Sequence, residues 1–175
     1  MSTITALTKM TAAVSDADIL IKLCKAGHLN ILSDVFDKLY VPAVVLREVK
    51  NKITAEENIL SLESARSQEW LVVISQEDLE PEQRLTYSSF IVSYEEILDR
   101  GELHATALAN EININVILSD DRNAKNLIDH LFQKEGLAYW EVLYLYGKIN
   151  GVNSRQVETI HNAVNQTAEH INRHR

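Results

Sequence analysis

Carboxylates stand where two apolar runs end. In "AAVSDADILIKL", residues 12–23, Asp16 and Asp18 close a short apolar stretch, and in "ILSDDRNAKNL", residues 117–127, Asp120 and Asp121 repeat the arrangement far along the chain. Two more acids fall on helix faces that should turn inward. Glu48 shares a face with Val44 and Val45, and Glu102 with Leu98, Ala105, Thr106 and Ala109. Asp121 shares a face with Ala124 and Ile128. Desolvating a carboxylate is unfavourable without a partner. Each acid has a plain explanation when taken alone. Asp16, Asp120 or Asp121 can cap the helix that follows it, and Glu102 suits the dipole of a first helical turn. As a set they supply the oxygen donors that a hard divalent cation requires. The sequence places no Lys or Arg on the same faces as a rival counter-charge, so a metal is the expected one.

Zinc chemistry is not indicated, because no HExxH and no Cys/His cluster occurs. Cys24, the single cysteine, lies at helical spacing with Leu20 and Leu23 and reads as a small buried residue. It cannot form an internal disulfide. His104 reads as a surface or supporting residue rather than a ligand.

The elements that must position these acids alternate. Strands are expected at "AAVS", "KLYV", "WLVVIS", "NVILS" and, last, "LAY". Helices are expected over 17–26, 28–36, 42–52 with Pro42 opening, 54–68 with Thr54 and Glu57 at capping-box spacing, 82–97, 100–111, 121–134, 140–149 and 154–173. Short apolar strands separated by helices predict an α/β fold: three layers, α/β/α, around a central, mainly parallel sheet. Such sheets bind ligands beyond the carboxyl ends of their strands, which is where Asp16 and Asp120 fall. Residues 1–150 are expected to form the domain and 151–175 a C-terminal helix packed on it or on a partner. Val157, Ile160, Val164 and Ala168 form the apolar stripe of that helix.

The chain has 175 residues, enough for one domain with a sizeable core. Its net charge of −8 argues against holding nucleic acid by bulk electrostatics, though not against a nuclease whose acids are neutralised by cations. "MSTITALTKMTAAV" lacks the continuous apolar core of a signal peptide, and no run reaches membrane-span length. A cytoplasmic protein with no membrane partner is expected.

"VSDADILIKL", "LYVPAVVLREV", "RGELHATALA" and "ILSDDRNAKNLI" together resemble, in order and spacing, the PIN-domain nucleases over about residues 12–150. "GLAYWEVLYLYGKING" and the "DDR" after the fourth strand resemble the bacterial and archaeal, toxin-like subgroup, in which a small residue often stands where this chain has Trp140. The resemblance implies a Mg²⁺- or Mn²⁺-dependent endoribonuclease with Asp16, Glu48, Glu102 and Asp121 as catalytic acids. Asp16, Glu102, Asp120 and Asp121 would be metal ligands, and Asp18 an occasional addition. Ser119, Arg122 and Lys125 would orient the acids or bind the RNA. It also implies a homodimer and an inhibitory, antitoxin-like partner protein. Two rival readings are a phosphatase of the haloacid-dehalogenase type, for which "DADIL" mimics the strand-end Asp-x-Asp, and a non-catalytic protein-binding module on the same fold.

Overall fold

A computed structural model describes residues 7–172. Five strands form one sheet: β1 (Met10–Ser15), β2 (Phe36–Pro42), β3 (Leu71–Ile74), β4 (Val116–Leu118) and β5 (Glu135–Leu137). Their order is β3-β2-β1-β4-β5, and every pairing is parallel. The α-helices among the described residues are α1 (Ala17–Lys25), α2 (Ile31–Val35), α3 (Ala43–Lys52), α4 (Glu56–Ser67), α5 (Pro81–Tyr94), α6 (Arg100–Glu111), α7 (Arg122–His130), α8 (Tyr139–Asn150) and α9 (Ser154–Asn172). The architecture is the expected three-layer α/β/α sandwich.

Period-two alternation along the strands divides the core between the two faces. Ala13, Leu39, Val41 and Leu118 point to one side, where residues of α1, α2, α3, α4, α8 and α9 cover them. Val14, Tyr40, Ile74 and Ile117 point to the other, against α5, α6 and α7. The Ala-rich stretch of α6 lies flat on that second face: Ala105, Thr106, Ala107 and Ala109 are fully buried. Small side chains let the helix backbone approach the strands, which brings the first turn of α6 close to the end of β1. Helix α9 joins the first core through the fully buried Val164, with Val157 and Ile160 packed beside it. The Ala168 side chain lies outside the described residues.

Several element ends differ from expectation. Helix α4 starts at Glu56 behind Ala55, so Thr54 does not cap it. Helix α7 stops at His130 rather than near Lys134, and a turn feeds β5 at Glu135, earlier than "LAY" suggested. Leu137 ends the strand and Tyr139 already begins α8. The reason is local: β5 is a short edge strand with few apolar residues to announce it. Glu135 N–H and the Leu137 carbonyl face β4, bonding Asn115 O (2.8 Å) and Ser119 N–H (3.0 Å). Gly136 therefore turns its N–H outward, where Asp129 Oδ1 accepts it at 2.7 Å. Lys125 pairs with Asp129 (3.4 Å) and Glu141 (3.5 Å) along the same edge. A Cβ at position 136 would stand 2.9 Å from Lys125 Cγ, so glycine is what lets α7 close over this strand.

Among the described residues no helix is long and apolar enough to cross a membrane.

Candidate active site

The chain steps outward from β1 through β2 to β3, then crosses back to β4 on the other side of β1, so the carboxyl ends of β1 and β4 form the switch point of the sheet. Asp16 N–H donates to Leu118 O at 3.1 Å, fixing the first acid between those two strand ends. There Asp16 caps α1: Oδ1 accepts from Ile19 N–H at 3.4 Å. Asp16 is only 2 % exposed, and its second oxygen, Oδ2, is buried with no hydrogen-bond partner. Burial, then the charges of Glu102 and Asp18, push its pKa well above the ordinary carboxylate range.

Glu102 enters from the first turn of α6 and is 6 % exposed. Burial raises its pKa as well, with Asp99, Asp18 and Asp121 adding to the rise. Ser119, fully buried at the end of β4, donates from Oγ to Glu102 Oε1 at 3.5 Å and accepts from Asp121 N–H at 3.2 Å. One hydroxyl thus links the α6 acid to the strand-end turn. Asp121 caps α7, accepting from Ala124 N–H at 2.7 Å.

A pocket of about 300 Å³ opens beside these groups, lined by Asp16, Asp18, Glu48, Lys52, Asp99, Arg100 and Glu102, together with Ala17 and Gly101. A Cβ on Gly101 would lie 3.9 Å from both Asp16 Cβ and Glu48 Oε2, which measures how closely α1, α3 and α6 converge.

A family model described as PIN domain matches residues 12–169, nearly the whole chain. The chain belongs to the PIN domain family. Comparison with curated proteins gave no match. PIN domains are generally nucleases and typically use divalent metals.

The donor chemistry of this PIN domain suits such an ion. Among the described residues no three His, Cys, Asp or Glu side chains already form a metal-ligating group. Yet five of the pocket's lining residues, Asp16, Asp18, Glu48, Asp99 and Glu102, carry carboxyl groups, the donor type that Mg²⁺ and Mn²⁺ prefer. Asp16 Oδ2 is a buried carboxyl oxygen that nothing in the protein satisfies, and native structures rarely leave such an atom without an ion or water.

The sequence-predicted residues divide. Asp16, Asp18, Glu48 and Glu102 line the pocket; Asp121 does not line it, its backbone N–H reaching Glu102 through Ser119 while its carboxylate caps α7. Asp120 is turned elsewhere: Oδ2 pairs with Lys22 of α1, and Oδ1 accepts Tyr139 N–H at 2.6 Å from the start of α8. Lys125 is engaged with Asp129 and Glu141 on the sheet edge, and Arg122 is exposed at the start of α7. His104 bonds Tyr87 OH through Nδ1 at 2.6 Å.

The expectation that no cation sits among these acids is corrected. Lys52 reaches Glu48 at 2.7 Å, and Lys22 reaches Asp120. The first was readable as an i,i+4 Glu–Lys pair. The second joins residues 98 apart in sequence and leaves no local trace. Asp99 was also missed. It precedes α6, its carboxylate makes no capping bond, and it lines the pocket. Its spacing of three before Glu102 was the available signal.

Proposed function

We propose that this PIN domain is a Mg²⁺- or Mn²⁺-dependent endoribonuclease, of the toxin or defence-associated type. The observation that carries the reading is the buried, unsatisfied Oδ2 of Asp16, a residue that lines a pocket together with buried Glu102. Asp16, Glu102 and Asp121 are the proposed holders of the ion, with Glu48 on the opposite wall. A bound Mg²⁺ or Mn²⁺ supplies charge stabilisation at the phosphodiester and lowers the pKa of a bound water. The chain's own residues hold the geometry. Ser119 keeps Glu102 and Asp121 in register, and the Asp16 cap fixes its carboxylate relative to α1. Arg122, exposed at the rim of α7, is a proposed RNA contact; Lys125 adds positive charge nearby while engaged with Asp129 and Glu141.

Homodimerisation and inhibition by a small antitoxin-like protein belong to the same reading. Their support is an apolar groove of about 520 Å³ between α8 and α9, where Trp140 and Tyr144 are exposed. Membership of the PIN family disfavours the phosphatase alternative. The deciding experiment is cleavage of a mixed RNA substrate with Mg²⁺ or Mn²⁺, comparing wild type with Asp16→Asn. Metal-dependent cleavage lost in the variant supports the assignment. Calorimetric Mn²⁺ binding without cleavage of any RNA would instead favour the non-catalytic module.

A further inference from the structure

Lys52 occupies an unexpected position. It lies on the last turn of α3, lines the acidic pocket, and places its ammonium 2.7 Å from Glu48 Oε1. The two side chains are 44 % and 34 % exposed, so the contact is a partly solvated ion pair rather than a buried one. Cations are favoured at a helix C-terminus by the unsatisfied carbonyls there, which helps to hold Lys52 at this wall. Glu48 Oε2 faces the other way: it lies near the Gly101 backbone, on the side where Asp16 and the first turn of α6 converge. One carboxylate therefore has an oxygen on the lysine and an oxygen toward the inner acids. Asp16 Oδ2, by contrast, has no counter-charge within hydrogen-bonding reach.

We propose that Lys52 is an internal counter-ion that competes with the divalent cation for Glu48 and thereby sets the metal affinity of the pocket. The proposal rests on the metal-dependent reading above. Asp16 and Glu102 give the ion its buried anchor. Recruiting Glu48 requires breaking or sharing the Lys52 pair, and the ammonium repels an incoming ion of the same sign. Lys52 acts through Glu48 and is a positioning residue, not a catalytic one.

Mn²⁺ titration of the full chain by calorimetry, at low salt where screening is weakest, tests this. An exposed pair contributes up to about 1 kcal/mol, so Lys52→Met is expected to tighten Mn²⁺ binding by about twofold to fivefold. Lys52→Arg, which keeps the charge, should stay near wild type. In a Glu48→Gln background the further change Lys52→Met should give a markedly smaller gain, because the competed carboxylate is gone. Thermal melts of each metal-free variant verify folding. If Lys52→Met leaves Mn²⁺ affinity unchanged or weaker, or gains equally with Glu48→Gln, the competition is refuted while the metal site stands. If wild type binds no Mn²⁺, or Asp16→Asn binds it as well as wild type, the metal reading fails too, and the two failures are told apart.

Discussion

The ends of β1 and β4 begin as near copies: an apolar strand, a serine, an aspartate and a helix. They finish differently. At the end of β1, Asp16 uses one oxygen on the α1 cap and keeps the other buried without a partner. At the end of β4 the work is shared between neighbours. Asp121 caps α7, while Asp120 is neutralised by Lys22 and ties down Tyr139 of α8. The Lys22 ammonium also lies 5.1 Å from the Tyr139 ring centroid, so Asp120 sits at the junction of three helices. The same residue type after the same kind of strand is a buried carboxyl with an unpartnered oxygen in one place and a structural tie in the other. Burial and access to a lysine make the difference.

The comparison is broken most decisively by activity. Asp16→Asn keeps a capping side chain, since Asn and Asp cap equally well, but removes the anion. If that anion contributes several kcal/mol through the metal, cleavage should fall by about 10³-fold. Asp120→Asn should lose far less, about tenfold or under. Equal losses in single-turnover assays would mean that the two strand ends are equivalent after all.

Metal-induced stabilisation is the next largest effect. An ion bound only by the folded protein at a hundredfold over its Kd adds about 2.7 kcal/mol, worth about 5–10 °C in Tm for a chain of this size. Wild type and Asp120→Asn should both show the shift in thermal melts with Mn²⁺, and Asp16→Asn should not. Loss of the shift in Asp120→Asn would return that residue to the ligand set.

Without metal the order of stability inverts. The folded pKa of Asp16 lies above its unfolded value, so the native state binds the proton more tightly. Its contribution is fully present below the unfolded pKa and is lost as pH rises through the folded one. Metal-free wild type should therefore lose Tm as pH rises from the ordinary carboxylate range, with Glu102 acting in the same direction. Asp16→Asn should flatten that slope and melt higher at neutral pH, by a few degrees. A slope identical in the two proteins, measured in EDTA, would remove Asp16 as its source.

Ser119→Ala should be the mildest change. It breaks one long and one ordinary hydrogen bond, typically worth about 1 kcal/mol, and should lower cleavage by less than tenfold with metal affinity nearly unchanged. A deficit as large as that of Asp16→Asn would make the hydroxyl a direct participant.

Much of this was legible in the sequence because it was local. Strand–helix alternation, the inward face of Glu102 and the acids closing β1 and β4 are written within a few residues of each other. The parallel sheet followed from that alternation, and the α6 contact from its run of alanines. What the sequence hid depends on contacts across the fold. That Asp120 would meet Lys22, and that Tyr139 would start a helix instead of ending a strand, required knowing how α1, α8 and β4 converge. The Glu48–Lys52 pair was readable by its spacing, but its position on the pocket wall was not.

The edge at β5 has a separate consequence, for solubility. A bare sheet edge offers unpaired backbone groups to any passing strand. Here the outward N–H of Gly136 is already taken by Asp129, and Lys125, Asp129 and Glu141 set fixed charges along the rim. An incoming strand would have to displace Asp129 to reach the Gly136 N–H, and would desolvate an ion cluster in doing so. The β5 edge is thereby guarded against runaway sheet growth.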